Sequence, residues 1–404
     1  MKRWLTPWHL NFFLGVFLIL QAVLFLYLES TSGVTDRQER IRGRDFLHFY
    51  LAGRMVAEGR SDLLYDQERF LELQKSISPV DDKNPPYVSV YPPHSALLFS
   101  LLGRLPYPRA VEIWWLIQLL CIVASASLLV RYVKSNLGLI PAAWYVTIWL
   151  GIFAFNPILN TFWNGQISAL LLLLFVAGFT LHNQKYFFLA GMLLSLISLK
   201  PQLAVGLFLW LVLRRDYNAL LGMLLGGLLQ LTVVIGILGP EVIGEYLKNA
   251  RLASSWYAIY TMSPDHQHAL AGILTTWFGS AFSAYAMLVQ TMLAAAAGYV
   301  LWNYQKSALE YALAIIFTLC CAPHLLTYDL SYLLIAVATF IVSLPQYGML
   351  FIPTCMLYAG AMFTPLYVAT QVSLVPLIFI VILIWLRPAG TKQFQLADGP
   401  LLAK

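Results

Sequence analysis

Six short polar clusters interrupt an otherwise apolar sequence, and most of its reactive side chains lie in them. They are Arg44-Asp45 with His48, Tyr91-Pro92-Pro93-His94, Asn164-Gly165-Gln166, Lys200-Pro201-Gln202, Asp265-His266-Gln267-His268, and Pro323-His324 with Tyr328-Asp329. Five of the seven histidines belong to this set, all except His9 and His182. A carboxylate, an ammonium and imidazoles brought together can accept a proton and stabilise an anion. Ionisable groups near lipid are costly unless they face a wet cavity, so gathering them on one membrane face would mark a site. Other chemistries lack their signatures. The chain has no P-loop, no GxGxxG turn and no Asp-x-Asp motif for a nucleotide-sugar metal site. Its four cysteines, Cys121, Cys320, Cys321 and Cys355, sit in apolar runs without zinc or redox spacing.

Whether the clusters share a face depends on the elements that carry them. Of 404 residues, 60% are hydrophobic and 11% charged, and the mean hydropathy is +0.72, outside the range of a soluble globular domain. The reading is one all-α polytopic membrane domain over residues 1–404. The net charge of +6 is a topology signal, because Lys and Arg fall mainly in short runs between apolar segments; no nucleic-acid partner is implied. The run Asn11 to Leu28 is too long for a signal-peptide core and lacks a cleavage site, so it reads as a retained first helix.

With Lys2 and Arg3 cytoplasmic, residues 29–93 become the first outer loop. Spans follow at about Ala110–Val130, Ile140–Phe155 and Gln166–Leu181, with Arg131, Lys134, His182 and Lys185 in basic inner turns. Tyr186 to Leu213 contains Lys200-Pro201 in its middle and precedes Arg214-Arg215. A lysine at mid-bilayer would cost about 2.5–3.5 kcal/mol, and proline breaks the helical ladder, so two helices meeting at the outer face are favoured over one kinked span. Ala219–Leu238 runs outward to a second outer loop, 239–279; further spans at about Phe282–Trp302, Leu309–Ala322, Tyr328–Leu344, Met349–Phe363 and Val372–Leu386 return the chain to Arg387 and Lys392. About 12 spans result, with both termini cytoplasmic. On this topology every polar cluster is outside.

In the first loop, Arg44 to Gly59 reads as an amphipathic helix at the interface. Phe46, Phe49, Tyr50 and Met55 recur at helical spacing, Arg54 and Glu58 form a polar side, and Gly59 is the stop. Asp45 falls at its N-terminal end, where the helix dipole favours the ionised carboxylate. Each cluster alone also has a plainer reading. Asp45 and Asp329 can be helix caps, Asn164-Gly165-Gln166 a turn, Lys200 a snorkelling side chain, and His266 and His268 solvated loop residues.

The ordered set Asp45-Phe46, Tyr50, Ala52, Gly59, Leu64-Tyr65, Tyr91-Pro92-Pro93, Asn164-Gly165-Gln166 and Lys200-Pro201-Gln202 resembles glycosyltransferase family 87 over roughly the first half of the chain. Pro323-His324 and Tyr328-Asp329 look like its later outer-face motif. That family contains polyprenol-phosphate-mannose-dependent α-mannosyltransferases of the actinobacterial envelope and belongs to the GT-C superfamily. The resemblance implies a many-helix membrane fold with Asp45 as the catalytic carboxylate, and Lys200 and His324 near a donor phosphate. His48, Tyr91, Asn164, Gln166, Gln202, His266, His268, Tyr328 and Asp329 are then substrate-binding candidates. The second loop, with His266-Gln267-His268, departs from the family's pattern.

A lipid-phosphate sugar already carries its leaving group, so such an enzyme needs one base and positive charge and no nucleotide-binding fold; no cofactor and no metal ligand are assigned, and whether a divalent metal assists stays open. Asp45 as base would give inversion in a single displacement, and Lys200, Arg44 and His324 would stabilise phosphate charge. The implied partners are a polyprenyl-phosphate sugar, a lipid-linked or envelope glycan acceptor and the lipids of a bacterial inner membrane, with the active site extracytoplasmic. A transporter or flippase of lipid-linked sugars, and a lipid-linked glycan ligase, are the alternatives. A transport pathway would place charges at mid-membrane, reachable from both faces.

Overall fold

The computed structural model describes residues 6–138, 140–259, 267–364 and 373–386, in which every regular element is a helix. Lys2, Arg3, Asp265, His266, Arg387 and Lys392 lie outside the described residues. Helix α1, Pro7–Glu29, starts with proline at its first position and Thr6 as cap. The first loop folds into α2 (Phe46–Ala57), α3 (Gln67–Lys75) and α4 (Pro93–Gly103), joined by irregular chain with two isolated bridges, Thr35 to Ile41 and Asp81 to Asn84. Asp66 caps α3 by accepting from the Glu68 and Arg69 amides.

Helix α2 exists and ends where the sequence suggested, with Gly59 at φ +71°. Its surroundings differ from the expected membrane-surface helix. Every residue from Phe46 to Gly53 is buried, because α4 and α3 cover the sides that would have faced lipid and water. Polar residues reach solvent only in its last turn.

Helix α5, Tyr107–Leu137, has 31 residues and at 1.5 Å per residue is about 46 Å long, enough to cross a bilayer and project beyond it. Helices α6 (Ala142–Ala154) and α7 (Asn156–Trp163) follow, bent by 46° at Phe155, where Pro157 cannot continue the ladder. Then come α8 (Ser168–Asn183), α9 (Phe187–Leu194), α10 (Pro201–Arg214), α11 (Tyr217–Leu238), α12 (Glu241–Ile259), α13 (Leu270–Phe278), α14 (Ser283–Asn303), α15 (Glu310–Cys321), α16 (Leu333–Ser343), α17 (Phe351–Met362) and α18 (Val375–Trp385). Among the described residues, four helices are individually long and apolar enough to cross a membrane, namely α1, α5, α11 and α14 with its leading turn, and the bent α6–α7 pair makes a fifth candidate. The other apolar helices of the expected spans have 10–17 residues.

The segment 186–213 is two helices running in opposite directions. A 3-10 stretch, Ser195–Leu199, leads from α9 to an extended Lys200, and Pro201 opens α10. Helix α9 lies against α11 through glycines that leave no room for a β-carbon: Gly222 meets the Phe188 carbonyl, and Gly226 meets Ser195 and Met192. Further along, Gln230 bonds Ser195 and Ser198. Residue numbers rise together on the two helices, so α9 and α11 are parallel and α10, between them, returns. Close backbone approach through small residues is the usual way helices associate in lipid, where apolar burial supplies no drive.

This arrangement gives the bundle two polar ends. At one end His182, Arg214, Asp216 and Glu310 form a buried ion network: His182 Nε2 is 3.0 Å from Asp216 Oδ2, Arg214 pairs with Glu310, and the Trp210 indole donates to Glu310 at 3.1 Å. The opposite end holds the starts of α8 and α10 and the chain after α15. The first-loop helices lie at this second end. There α12 of the second loop docks on the first loop, with the Gln67 amide donating to Asn249 at 2.8 Å.

Candidate functional site

The turn that delivers Asp45 is built from backbone geometry that few residues tolerate. Gly43 and Arg44 both have positive φ, and the Phe46 amide bonds back to the Gly43 carbonyl at 2.8 Å. Against this turn lies Asn164-Gly165-Gln166. Gly165 has φ +61°, and a β-carbon there would come within 2.6 Å of the Phe46 β-carbon and 2.7 Å of the Gly43 carbonyl. Glycine is therefore required twice over, by conformation and by contact. The close approach brings Gln166 to the carboxylate, its Nε2 donating to Asp45 Oδ2 at 2.7 Å.

Asp45 itself is half-buried and makes no side-chain cap to α2. Gln166 is clamped from α5: the Gln118 amide donates to the carbonyls of Gln166, at 2.6 Å, and of Thr161, at 3.1 Å. The Trp114 indole donates to the Gly165 carbonyl at 2.7 Å. Tyr91 places its hydroxyl 3.5 Å from Gln166 Oε1 and its ring 4.9 Å from that of His48. Burial pushes the His48 imidazole down to about 3, so this histidine is neutral. Burial, reinforced by the Asp45 charge, raises the Tyr87 phenol well above its ordinary range.

Two residues beyond Gln166, Ser168 opens the second half of the site. Its hydroxyl lies 3.3 Å from Asp329 Oδ1 and 3.2 Å from Lys200 Nζ. Lys200 and Asp329 form an ion pair at 2.5 Å, each side chain 3% exposed, and Lys200 lies 4.4 Å from the centre of the Tyr328 ring. Asp329 also accepts from the Leu326 amide at 3.1 Å, capping the 3-10 turn Thr327–Tyr332. Lys200 is thus folded inward onto a carboxylate. A buried ion pair in such a place is weak support for stability, and losing one partner leaves an uncompensated charge.

His324 stands beside this pair, its ring bonded by the Gln267 amide. Burial, followed by the Lys200 charge, lowers its imidazole despite the opposing effect of Asp329, so its readiest contribution at neutral pH is a hydrogen bond. His268 spans two segments, 2.8 Å from Ser373 Oγ and 3.0 Å from Thr327 Oγ1. Gln202 is half-buried in the first turn of α10.

Arg44 and Asn164 belong to a different opening. Arg44 lies 5.4 Å from the centre of the Trp163 ring, and both line a polar cleft of about 450 Å³ together with Arg40, Asn160 and Asn164. Among the described residues no three His, Cys, Asp or Glu side chains come together as a metal site would need.

The polar clusters therefore meet around the start of α8, with Gln166 reaching one acid and Ser168 the other. Sequence reasoning passed over Gln118, Trp114 and Ser168. Gln118 was open to discovery, as a lone amide inside the apolar run of α5 must bond something; Ser168 carried no signal beyond its place after Gln166. No curated protein and no solved structure matches the chain. The family model for glycosyltransferase family 87 matches residues 90–326, a range that contains Tyr91, Asn164–Gln166, Lys200–Gln202 and Pro323-His324, and so covers the framework against which Asp45 and Asp329, both outside it, are held. With that framework in place over more than half its length, the chain belongs to glycosyltransferase family 87 and is a membrane glycosyltransferase.

Proposed function

We propose that the protein transfers a hexose, mannose by the example of the family, from a polyprenyl-phosphate donor to a lipid-linked or envelope glycan at the extracytoplasmic face of a bacterial inner membrane. The observation that carries this reading is the Asp45 carboxylate held by Gln166 two residues from the Ser168–Lys200–Asp329 cluster. An acceptor hydroxyl attacks the anomeric carbon and gives its proton to Asp45. The bond from that carbon to the phosphate oxygen breaks, and the electron pair leaves with polyprenyl phosphate. One displacement inverts the centre.

Lys200 and His324 serve the departing phosphate. Lys200 lies 2.5 Å from Asp329, so arrival of the phosphate would offer its ammonium a second anion, with the Tyr328 ring beneath it. His324, kept uncharged by its burial, donates a hydrogen bond. A preorganised cation in a site closed to water contributes more than it would in solution. Tyr91, Gln166 and Gln202 bracket the sugar, and His48, His268 and Tyr328 shape the walls, while Asn164 lines the neighbouring cleft. Both outer loops, 29–93 and 239–279, belong to this single domain.

Purified protein given a polyprenyl-phosphate hexose and a panel of glycan acceptors should release polyprenyl phosphate in step with acceptor glycosylation. Movement of the intact donor across a vesicle membrane with no release would instead make the protein a transporter.

A further inference from the structure

The chain leading into the Asp45 turn carries arginines at alternate positions, Arg40, Arg42 and Arg44. Arg40 and Arg44 line the polar cleft. Arg42 turns inward between them and is enclosed, its side chain 3% exposed. Its guanidinium donates to Glu112 Oε1 of α5 at 3.0 Å and to the Gly33 carbonyl at 3.4 Å. Its Nε lies 3.9 Å from Oε2 of Glu29, a 2% exposed carboxylate at the end of α1. The Trp115 ring of α5 covers the same guanidinium at 5.3 Å. Such a cluster is a poor source of stability, because taking the charges out of water costs about what their attraction returns. A guanidinium adds direction instead: its planar fork meets carboxylates and a carbonyl at fixed angles, which an ammonium does not.

The backbone is fixed at the same residue. The Arg42 amide donates to the Val34 carbonyl at 3.0 Å, and the hydroxyl of Tyr107, first residue of α5, donates to the Arg42 carbonyl at 2.5 Å. Gly43 then rests on α5 so closely that a β-carbon would come within 2.5 Å of Val111 Cγ2. Gly43 and Arg44, both at positive φ, turn the chain to Asp45. Arg42 is thus anchored by amide, carbonyl and side chain three residues before that carboxylate. Three residues span at most about 10 Å, so little slack is left to absorb a shift at Arg42.

We infer that Arg42 is a positioning residue for the transfer reaction: held between Glu29 of α1 and Glu112 of α5, it fixes where the Asp45 carboxylate stands against the membrane helices. The inference rests on the proposal that Asp45 takes the acceptor's proton. Gln166 restrains the carboxylate itself, and Arg42 restrains the chain that carries it. Enclosed by protein, Arg42 touches no substrate and acts through Asp45, so its loss lowers the rate of transfer and spares donor affinity.

The test compares Arg42→Lys, Arg42→Met combined with Glu29→Leu, and Glu112→Ala, each made in the wild-type chain and in Asp45→Asn. Full-length proteins in detergent are assayed for Tm, and for kcat and KM with a polyprenyl-phosphate hexose. The two Arg42 variants should lose about tenfold or more in kcat, with KM for the donor within about twofold of wild type. Glu112 is 56% exposed, and its variant should fold and lose about threefold, since Glu29, Gly33 and Trp115 still hold the guanidinium. In the Asp45→Asn background the same substitutions should lower residual transfer no further, because the carboxylate they misplace is already gone. A folded Arg42 variant with near-wild-type kcat would overturn the inference. An equal fold loss in both backgrounds would do the same, as the mark of general loosening. Should the Arg42 variants fail to fold, Glu112→Ala decides by the same comparison. Failure of the underlying reading has a separate signature, normal transfer by Asp45→Asn alone.

Discussion

Gln166 holds one oxygen of Asp45, and Gln118 holds Gln166, so two amides, one on α5 and one in the turn before α8, set the aim of one carboxylate. Removing the outer amide tests this linkage without touching Asp45. In Gln118→Ala the Gln166 and Thr161 carbonyls lose a buried partner, and turnover should fall by about tenfold or more because a small misplacement of a reacting group is costly. Gln166→Glu places a second carboxylate against the first. Like charges disfavour joint ionisation, so the alkaline-going limb of the pH–rate profile should move to higher pH; a profile that falls without moving would reduce Gln166 to a packing role. The Lys200–Asp329 pair separates stability from function in a different way. Lys200→Ala should cost about 3–5 kcal/mol by stranding Asp329, whereas Lys200→Met with Asp329→Leu should recover the stability and remain inactive. Recovery of both would remove the pair from the reaction. His48 bears on acid stability: its imidazole is depressed to about 3 in the fold, so the unfolded chain binds the extra proton between that pH and its ordinary 6.5. Stability is intact above pH 6.5 and declines as pH falls, by about 2 kcal/mol at pH 5. His48→Phe should flatten this decline in the apparent Tm. Asp45, Gln166 and Lys200 were legible as unusual residues at chain breaks, but their partners were not. Asp329 could be seen as a helix cap, and it is one, yet nothing in sequence spacing reveals that Lys200 lies across from it.

The two helices that meet at Lys200-Pro201 fix the direction of everything downstream. Proline chemistry and the cost of a mid-bilayer lysine predicted the turn, and the parallel contact of α9 with α11 agrees with it. Sidedness is a separate matter, tested by exposed positions at the two ends. Lys83→Cys in the first loop should react with an impermeant thiol reagent in intact cells, and Lys185→Cys in the turn before α9 should react only after the membrane is opened. The reverse pattern would put the site in the cytoplasm. Helix α2 shows where periodicity misleads. Its aromatic spacing was visible, but an apolar stripe at helical period does not say whether the remaining faces meet water or another helix. The burial of Phe46 through Gly53 comes from α4 and α3, whose docking is a tertiary event. The asparagines of α7 were missed for the opposite reason, since Asn156 and Asn160 fall just past the end of the expected span Ile140–Phe155, and only a helix continuing beyond the bend puts them, four residues apart, on one cleft wall.

Across the whole molecule, the polar residues divide between two ends that do different things. At the Arg214 end, charges satisfy one another within a closed network of His182, Asp216 and Glu310. At the other, they border a cleft and the first and second loops, with Arg44 next to Asp45 in the chain. A transporter would need such groups along a path between the ends. The chain instead separates them by apolar helices, which favours chemistry at one face. That claim turns on Asp45, and the most direct measurement is sugar transfer from a polyprenyl-phosphate hexose by wild type and Asp45→Asn, at matched amounts of folded protein, with donor affinity determined separately. Asparagine keeps the shape and can still accept from Gln166, so folding and donor binding should be preserved while turnover falls by about 10²-fold or more, the amide being unable to take the acceptor's proton. Near-normal transfer by Asp45→Asn would contradict the account.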